Sequence, residues 1–276
     1  MKAQVGGYAR AEDMAHAIRL LADAEGMGRV LAGGQSLVAA LNMGLSFGDL
    51  LVDITGLSDL RGVREEDDRL VIGALMRHAD VATDPLIARH VPLLAQAAPL
   101  IAHEAIRNRG TIGGSLAHAD PAAEFPACAV ALDAVIRLTG PDGEREVAAT
   151  DFFRDVFETE MREGEILTGI VVPKTQAGER HVIREAARRA GDYAIAGLAV
   201  VIRGGAHRIA AFGTGPTPLL CTVAMERLDA GDVDGAVSAL SDALDPPSDT
   251  QGSAAYRRHL AGVLLHRIAT ELGEDV

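Results

Sequence analysis

The sequence predicts an α+β protein in two successive parts, and three observations predict it. Short apolar runs alternate with glycine-rich turns and helical segments as far as Pro173. A polar stretch, Lys174–Glu179, then breaks the pattern. Beyond it three apolar runs precede three helical ones, the order of a separate α+β layer.

In chain order, residues 11–24 carry Met14, Ile18 and Leu21 on one helical face, ended by Gly26. Val30–Ala32 is a short strand that runs into Gly33-Gly34-Gln35-Ser36, a helix Leu37–Met43 follows, and Leu50–Ile54 is a second strand. Leu60–Arg64 and Leu70–Ile72 pair around the acidic run Glu65–Asp68, read as a solvated turn. Helices are expected at 77–82, 85–90 and 92–106, then a loop Arg109–Asp120, then a helix from Pro121 to Leu132. Val135–Thr139 and Glu144–Val147 form a hairpin, and Ile166–Val172 is a strand stopped by Pro173. The last part should hold strands at 181–188, 194–202 and 207–213, then helices near 218–228, 233–244 and 254–272.

Composition narrows the function classes. The 276 residues are 48% hydrophobic with mean hydropathy +0.15, ample for packed cores. A net charge of −13 repels nucleic acid and anionic membranes. With no Trp and 3% aromatics, a base-stacking platform is also disfavoured. An acidic chain that binds phosphate must do so with local donors such as backbone N–H groups. Cys128 and Cys221 are the only cysteines, too few for an iron–sulfur cluster or a four-cysteine zinc site. They read as buried thiols. The start, MKAQVGGYAR, lacks the apolar core of a secretion signal, and Ala194–Ile202 is about half of what a spanning helix needs. A cytoplasmic protein without an integral membrane segment is expected.

Two glycine loops stand out. In Leu31-Ala32-Gly33-Gly34-Gln35-Ser36 adjacent glycines permit positive φ and close approach of backbone to a ligand. The N–H groups there, with the start of the next helix, can form an anion nest. Gly110-Thr111-Ile112-Gly113-Gly114-Ser115-Leu116-Ala117-His118-Ala119-Asp120 repeats that chemistry. Neither loop is a Rossmann GxGxxG or a P-loop, and together they suit a dinucleotide. A branched residue at Gly34 or Gly113 is expected to abolish ligand retention while the chain stays folded.

These loops, AGGQS and TIGGSLAHADPAAEFPA, with Gly164-Glu165-Ile166-Leu167-Thr168 and Ala187–Ile195 (ARRAGDYAI), closely resemble the FAD-binding medium subunit of molybdenum hydroxylases. These are the carbon monoxide dehydrogenase, xanthine dehydrogenase and aldehyde oxidase relatives, and the resemblance covers nearly the whole chain. It implies a vanillyl-alcohol-oxidase-type (PCMH-like) FAD-binding domain over 1–174, in subdomains of about 1–55 and 56–174, and a small C-terminal α+β domain over 175–276. By the same resemblance Ala32, Gly33, Gly34, Gln35, Ser36 and Leu37 would hold the FAD pyrophosphate together with Thr111, Gly113, Gly114 and Ser115. Ile101, Ala102 and Ile106 would line the flavin region, Glu124 would lie near the ribose, and Leu167 would pack on the cofactor. Asp192 and Tyr193 would approach the isoalloxazine ring, His118 and Asp120 would contact FAD, and Arg184 falls near a position where relatives carry Lys.

His118, Asp120 and Glu124 have a spacing that suits a metal but lack a third firm neutral ligand, so no metal is assigned. His103 and His118 could be attachment points for a covalent flavin; the molybdenum-hydroxylase branch does not use one, which implies non-covalent FAD. Arg107 and Arg109 could face phosphate, but pairing with surface acids is the simpler reading. No residue is assigned a catalytic role. The resemblance implies an electron-transfer subunit fed by [2Fe-2S] clusters in a small partner, beside a large partner with the molybdenum cofactor, in a dimer of heterotrimers. An external acceptor would take the electrons. A stand-alone FAD oxidoreductase and a non-catalytic nucleotide-binding assembly protein remain open at this point.

Overall fold

The structure, a computed structural model, describes residues 5–46 and 50–273. The first four residues of the start read for a targeting signal lie outside them. A small parallel sheet comes first: β1 (Gly7–Arg10), β2 (Gly28–Leu31) and β3 (Leu50–Asp53), in the order β1-β3-β2. Helix α1 (Met14–Asp23) starts where the Asp13 carboxylate accepts from His16 N at 2.6 Å, and it buries Ala17 and Leu21. Helix α2 (Leu37–Met43) ends on Gly44, whose φ of 71° supplies the left-handed cap. Strand β1 was not read from the sequence, because Gly7–Arg10 alternates half-buried and exposed residues without an apolar run.

The middle of the chain builds an antiparallel sheet of order β4-β5-β10-β6-β7. Its strands are β4 (Val63–Glu66), β5 (Arg69–Gly73), β6 (Val135–Gly140), β7 (Gly143–Ala148) and, after the short pair β8 (Phe153–Asp155) and β9 (Glu158–Thr159), β10 (Ile166–Pro173). The acidic run is half turn and half strand. Asp67, at φ 47°, makes the turn, while Glu65 accepts from Lys174 at 2.5 Å and Glu66 from Arg137 at 3.0 Å. Pro173 does not stop its strand; it closes β10 opposite Arg69.

Helices α3 (His78–Thr83), α4 (Pro85–His90) and α5 (Pro92–Ala97) lie close to expectation. The helix expected over 92–106 is broken. Pro99 tightens Ala98–Leu100 into a 3-10 turn, Ala102 takes a φ of 44°, and a new helix α6 (Glu104–Arg107) begins. The expected loop Arg109–Asp120 contains helix α7 (Ile112–His118), capped where Thr111 Oγ1 accepts from Gly114 N at 3.1 Å. The helix expected from Pro121 starts later, as α8 (Glu124–Ala131), followed by α9 (Ala149–Phe152). Asp120 is the reason: its carboxylate accepts from Ala122 N at 2.9 Å and holds Pro121 in a turn.

Every residue of α8 is buried. It lies between the middle elements and a second antiparallel sheet of β11 (Arg180–Ala186), β12 (Ala196–Arg203), β13 (Ala206–Phe212) and β14 (Leu219–Leu220). One face of that sheet, with Ile183, Ala199, Val201 and Phe212, joins the core around Phe125 and Leu132. The other, with Val182, Leu198, Val200 and Ala211, is covered by α10 (Thr222–Asp229), α11 (Val233–Ala243) and α12 (Ala254–Leu272). From β13, Arg208 donates to the carbonyls of Ala131 and Val130 at 3.1 and 3.0 Å, closing the C-terminus of α8.

The polar stretch at 174–179 is fastened at both ends. Thr175 donates through N and Oγ1 to His90 O, and Glu179 holds Arg203 at 2.9 Å and His181 Nε2 at 2.7 Å. The His181 Nδ1 accepts from Leu93 N at 3.2 Å, so its proton sits on Nε2 and the ring is neutral. Burial pushes the His181 pKa down, in agreement. Burial alone would raise the Glu179 pKa, but Arg203, Gln176 N–H and His181 outweigh it and hold the carboxyl low. The Glu179 side chain is 1% exposed, so an Arg203→Met variant strands a buried charge and should lose about 3 kcal/mol of stability in urea melts. Glu179→Gln, with no charge to strand, should lose less.

Candidate functional site

The two glycine loops meet through their backbones. A Cβ on Gly33 would stand 2.3 Å from Arg109 O and 2.8 Å from Gly110 Cα, so only glycine allows the contact. Gly34 follows at φ 72°, and Gln35 folds back to donate to Gly33 O at 3.2 Å. Among the described residues, the N–H groups of Gly33, Gly34, Gln35 and Ser36 have no acceptor within the chain. They form an open row of donors at the start of α2.

The second loop is chemically different from the first, contrary to expectation. Ile112 N donates to Met76 O and Gly113 N to Ala74 O, both at 2.9 Å. Gly114 N uses Thr111 Oγ1, and Ser115 N donates to Thr111 O at 3.0 Å. Its backbone donors are therefore engaged in starting α7 and docking it on Ala74 and Met76, the segment that follows β5. Its remaining donors are the hydroxyls of Thr111, which is buried, and of Ser115, which is half-buried. Gly113 is a packing glycine, since a Cβ there would lie 2.6 Å from Ala74 Cβ.

A second group of residues gathers beyond α7. Glu124, at the start of α8, is 7% exposed. Burial first, then the charge of Glu185 and that of Asp120, push its pKa up to about 8. Glu185 was not read as a site residue, yet it lies on the same sheet face as Ile183, and burial pushes its pKa up to about 7. Its Oε2 is buried without a partner among the described residues. Although the Tyr193 side chain is 72% exposed, burial around its hydroxyl and the charges of Asp120 and Glu124 push its pKa up. His118 stacks on Phe157, ring centroids 4.8 Å apart, and burial lowers its pKa against the pull of Asp120. Leu167 is a core residue on β10, and Ile101, Ala102 and Ile106 are half-buried.

Arg184 is not brought to this group. It shares the opposite sheet face with Val182 and clasps Glu271 of α12 at 2.6 and 2.7 Å. Strand parity carried the missed signal: in β11, Arg184 and Glu185 must face opposite ways. Among the described residues Arg107 pairs with no surface acid; its Nη1 donates to the carbonyls of Ile101 and Ala102 at 2.9 and 2.6 Å. His78, beneath Gly110 and edge-on to Phe125 at 5.1 Å, was also missed. Burial lowers its pKa to about 4.

Residues 2–175 match the family model described as the FAD binding domain in molybdopterin dehydrogenase. Residues 181–272 match the CO dehydrogenase flavoprotein C-terminal domain. The chain belongs to the FAD-binding subunits of the molybdenum hydroxylases. It is 38% identical to the 6-hydroxypseudooxynicotine dehydrogenase complex subunit alpha of Paenarthrobacter nicotinovorans, over 97% of this chain and 94% of that protein. It is also 38% identical to the carbon monoxide dehydrogenase medium chain of Afipia carboxidovorans, over 94% of each. A solved carbon monoxide dehydrogenase from Hydrogenophaga pseudoflava superposes with a TM-score of 0.94 at 34% identity, covering 100% of both chains. The vanillyl-alcohol-oxidase-type α+β fold with its C-terminal domain is therefore as expected. FAD fits this flavin subunit on its own geometry: an open row of N–H donors at a left-handed glycine supplies what an acidic chain needs for a pyrophosphate.

The contrast between the glycines separates two variants. Gly34→Val, strained at φ 72° and close to Val38 and Leu31, should keep the fold and lose FAD by about a hundredfold in affinity. Gly113→Val should fail earlier, in stability, because it drives α7 off Ala74. Thermal melts of both apo proteins, read beside FAD titrations, tell these outcomes apart.

Glu124 and Glu185 set a pH dependence. The fold favours their protonated forms, so this contribution is complete below the ordinary carboxylate pKa and is lost as pH climbs toward 8. Between pH 6 and 8 the FAD-free subunit should lose about 2 kcal/mol in urea melts. Glu124→Gln should flatten most of that slope.

Proposed function

We propose that this subunit binds one FAD non-covalently and relays electrons from the [2Fe-2S] clusters of a small partner subunit to an external acceptor. A large partner with the molybdenum cofactor carries out the substrate chemistry. The observation that carries this reading is the open donor row at Gly33–Ser36, clasped against Arg109–Gly110. In this assignment Ala32–Leu37 hold the pyrophosphate through backbone N–H groups, and Thr111 and Ser115 add hydroxyl donors. The protonated Glu124 both donates and accepts, which suits a ribose diol. Ile101, Ala102, Ile106 and Leu167 give apolar walls, and Asp120, His118, Asp192 and Tyr193 border the ring. Bound FAD supplies the exchange between one-electron and two-electron carriers. Arg184 belongs to the α12 interface in this reading, and Glu185 takes its place beside the cofactor.

The similar relatives support a relay. Chains equally close to this one belong to complexes named for 6-hydroxypseudooxynicotine and for carbon monoxide, two chemically unrelated molecules. A fold shared between them serves a step that the substrate does not enter. The domain limits proposed are 1–174, with subdomains of about 1–55 and 56–174, and 175–276. The assembly proposed is a dimer of heterotrimers in the cytoplasm; among the described residues no helix is long and apolar enough to cross a membrane.

The isolated FAD-loaded subunit should bleach anaerobically with dithionite and stay oxidised with aldehydes, purines and N-heterocycles. Rapid bleaching by an organic substrate without partners would make it a stand-alone oxidoreductase. Denaturation and filtration should release all the flavin from the polypeptide. Yellow colour retained on the protein would overturn non-covalent binding.

A further inference from the structure

Arg107 is placed unlike a surface arginine. From α6 its Nη1 donates to three consecutive-turn carbonyls, Ala102 O at 2.6 Å, Ile101 O at 2.9 Å and Pro99 O at 3.4 Å. These carbonyls belong to the segment where the long helix breaks. Ala102 there holds a φ of 44°, a left-handed conformation that costs a non-glycine residue about 1 kcal/mol or more and needs outside support.

The Ala102 carbonyl has a second neighbour. Gly191, at φ 83°, lies so close that a Cβ on it would stand 2.7 Å from Ala102 O and 3.0 Å from its carbon. Gly191 is in the connection between β11 and β12, and it directly precedes Asp192 and Tyr193. One carbonyl is thus gripped by a cation from one side and pressed by the C-terminal domain from the other. Ile101–Ala102 and Asp192–Tyr193 come from distant parts of the chain, and this contact fixes the gap between them.

We propose that Arg107 is a positioning residue for the flavin ring: by holding Ala102 against Gly191 it sets the spacing between the two segments that border the ring. This rests on the assignment of the FAD site above. The Arg107 cation acts through backbone carbonyls, where a charge-assisted hydrogen bond is about twice as strong as a neutral one. Three acceptors converge on one nitrogen, so charge and reach both matter, and lysine is a partial substitute.

The test compares wild type, Arg107→Met, Arg107→Lys and Gly191→Ala in the full-length subunit, titrated with FAD and followed by flavin fluorescence and visible circular dichroism. Wild type should bind FAD tightly with a strong visible dichroism. Arg107→Met should raise the FAD Kd about tenfold or more and weaken that dichroism, and Arg107→Lys should recover part of both. Gly191→Ala, which disturbs the same contact from the other side, should give the same spectral change. That keeps the idea testable if Arg107→Met does not fold. An unchanged Kd and spectrum in Arg107→Met and Gly191→Ala, with wild type binding normally, would overturn the positioning role alone. Failure of wild type to bind FAD would overturn the site assignment and this role with it.

Discussion

The contact between Gly33 and the Arg109–Gly110 backbone is the constraint on which the site depends. Two chains can lie this close only where one lacks a side chain. The contact joins the turn that follows the small parallel sheet to the backbone at Arg109–Gly110 in the middle of the chain. Once the loops touch, their tasks divide. The first keeps its N–H groups open, while the second gives its own to the start of α7 and to the Ala74 and Met76 carbonyls just after β5. The longer motif thus spends its donors within the fold, and the open donors belong to the shorter.

Charge is managed locally rather than globally. At −13 overall, the subunit offers no attractive field to an anion, and the buried Glu124 and half-buried Glu185 would worsen it if ionised. Burial raises both carboxyls, Glu185 to about 7 and Glu124, with the charge of Glu185 added, to about 8, so Glu124 is the one kept largely protonated near neutrality. The neutral His78 beneath Gly110 follows the same logic from the basic side. Burial thus favours the neutral forms of Glu124, Glu185 and His78.

Much of this was legible in the sequence. Helix Leu37–Met43 has the expected bounds because the left-handed glycines Gly34 and Gly44 turn the chain on either side of it. The family resemblance carried by the two glycine loops, Gly164–Thr168 and Ala187–Ile195 implied the fold. The misreadings share one cause, long-range contact overriding local pattern. Gly113 and Gly114 look like loop residues, but Ala74 and Thr111 make them helical. Arg107 looks like a surface cation, yet it serves carbonyls made available by a break at Pro99 that its own segment does not reveal. Glu185 was within reach of the sequence, since alternation along β11 distinguishes it from Arg184. Strand β1 was not, because its partner β3 is some forty residues away in the chain and its own pattern is weak.

Helix α8 is apolar on every side, and its last carbonyls are closed by Arg208. During synthesis it leaves the ribosome about 80 residues ahead of β13, which supplies its final wall and its cap. At about 5–20 residues per second the helix stands uncovered on one face for on the order of 4–16 seconds. The N-terminal half thus cannot complete its interior while it is being made. A nascent chain stopped before Phe212 exposes a greasy rod, a target for chaperones and a seed for aggregation, so the C-terminal domain acts as the closing step of the flavin domain's own folding.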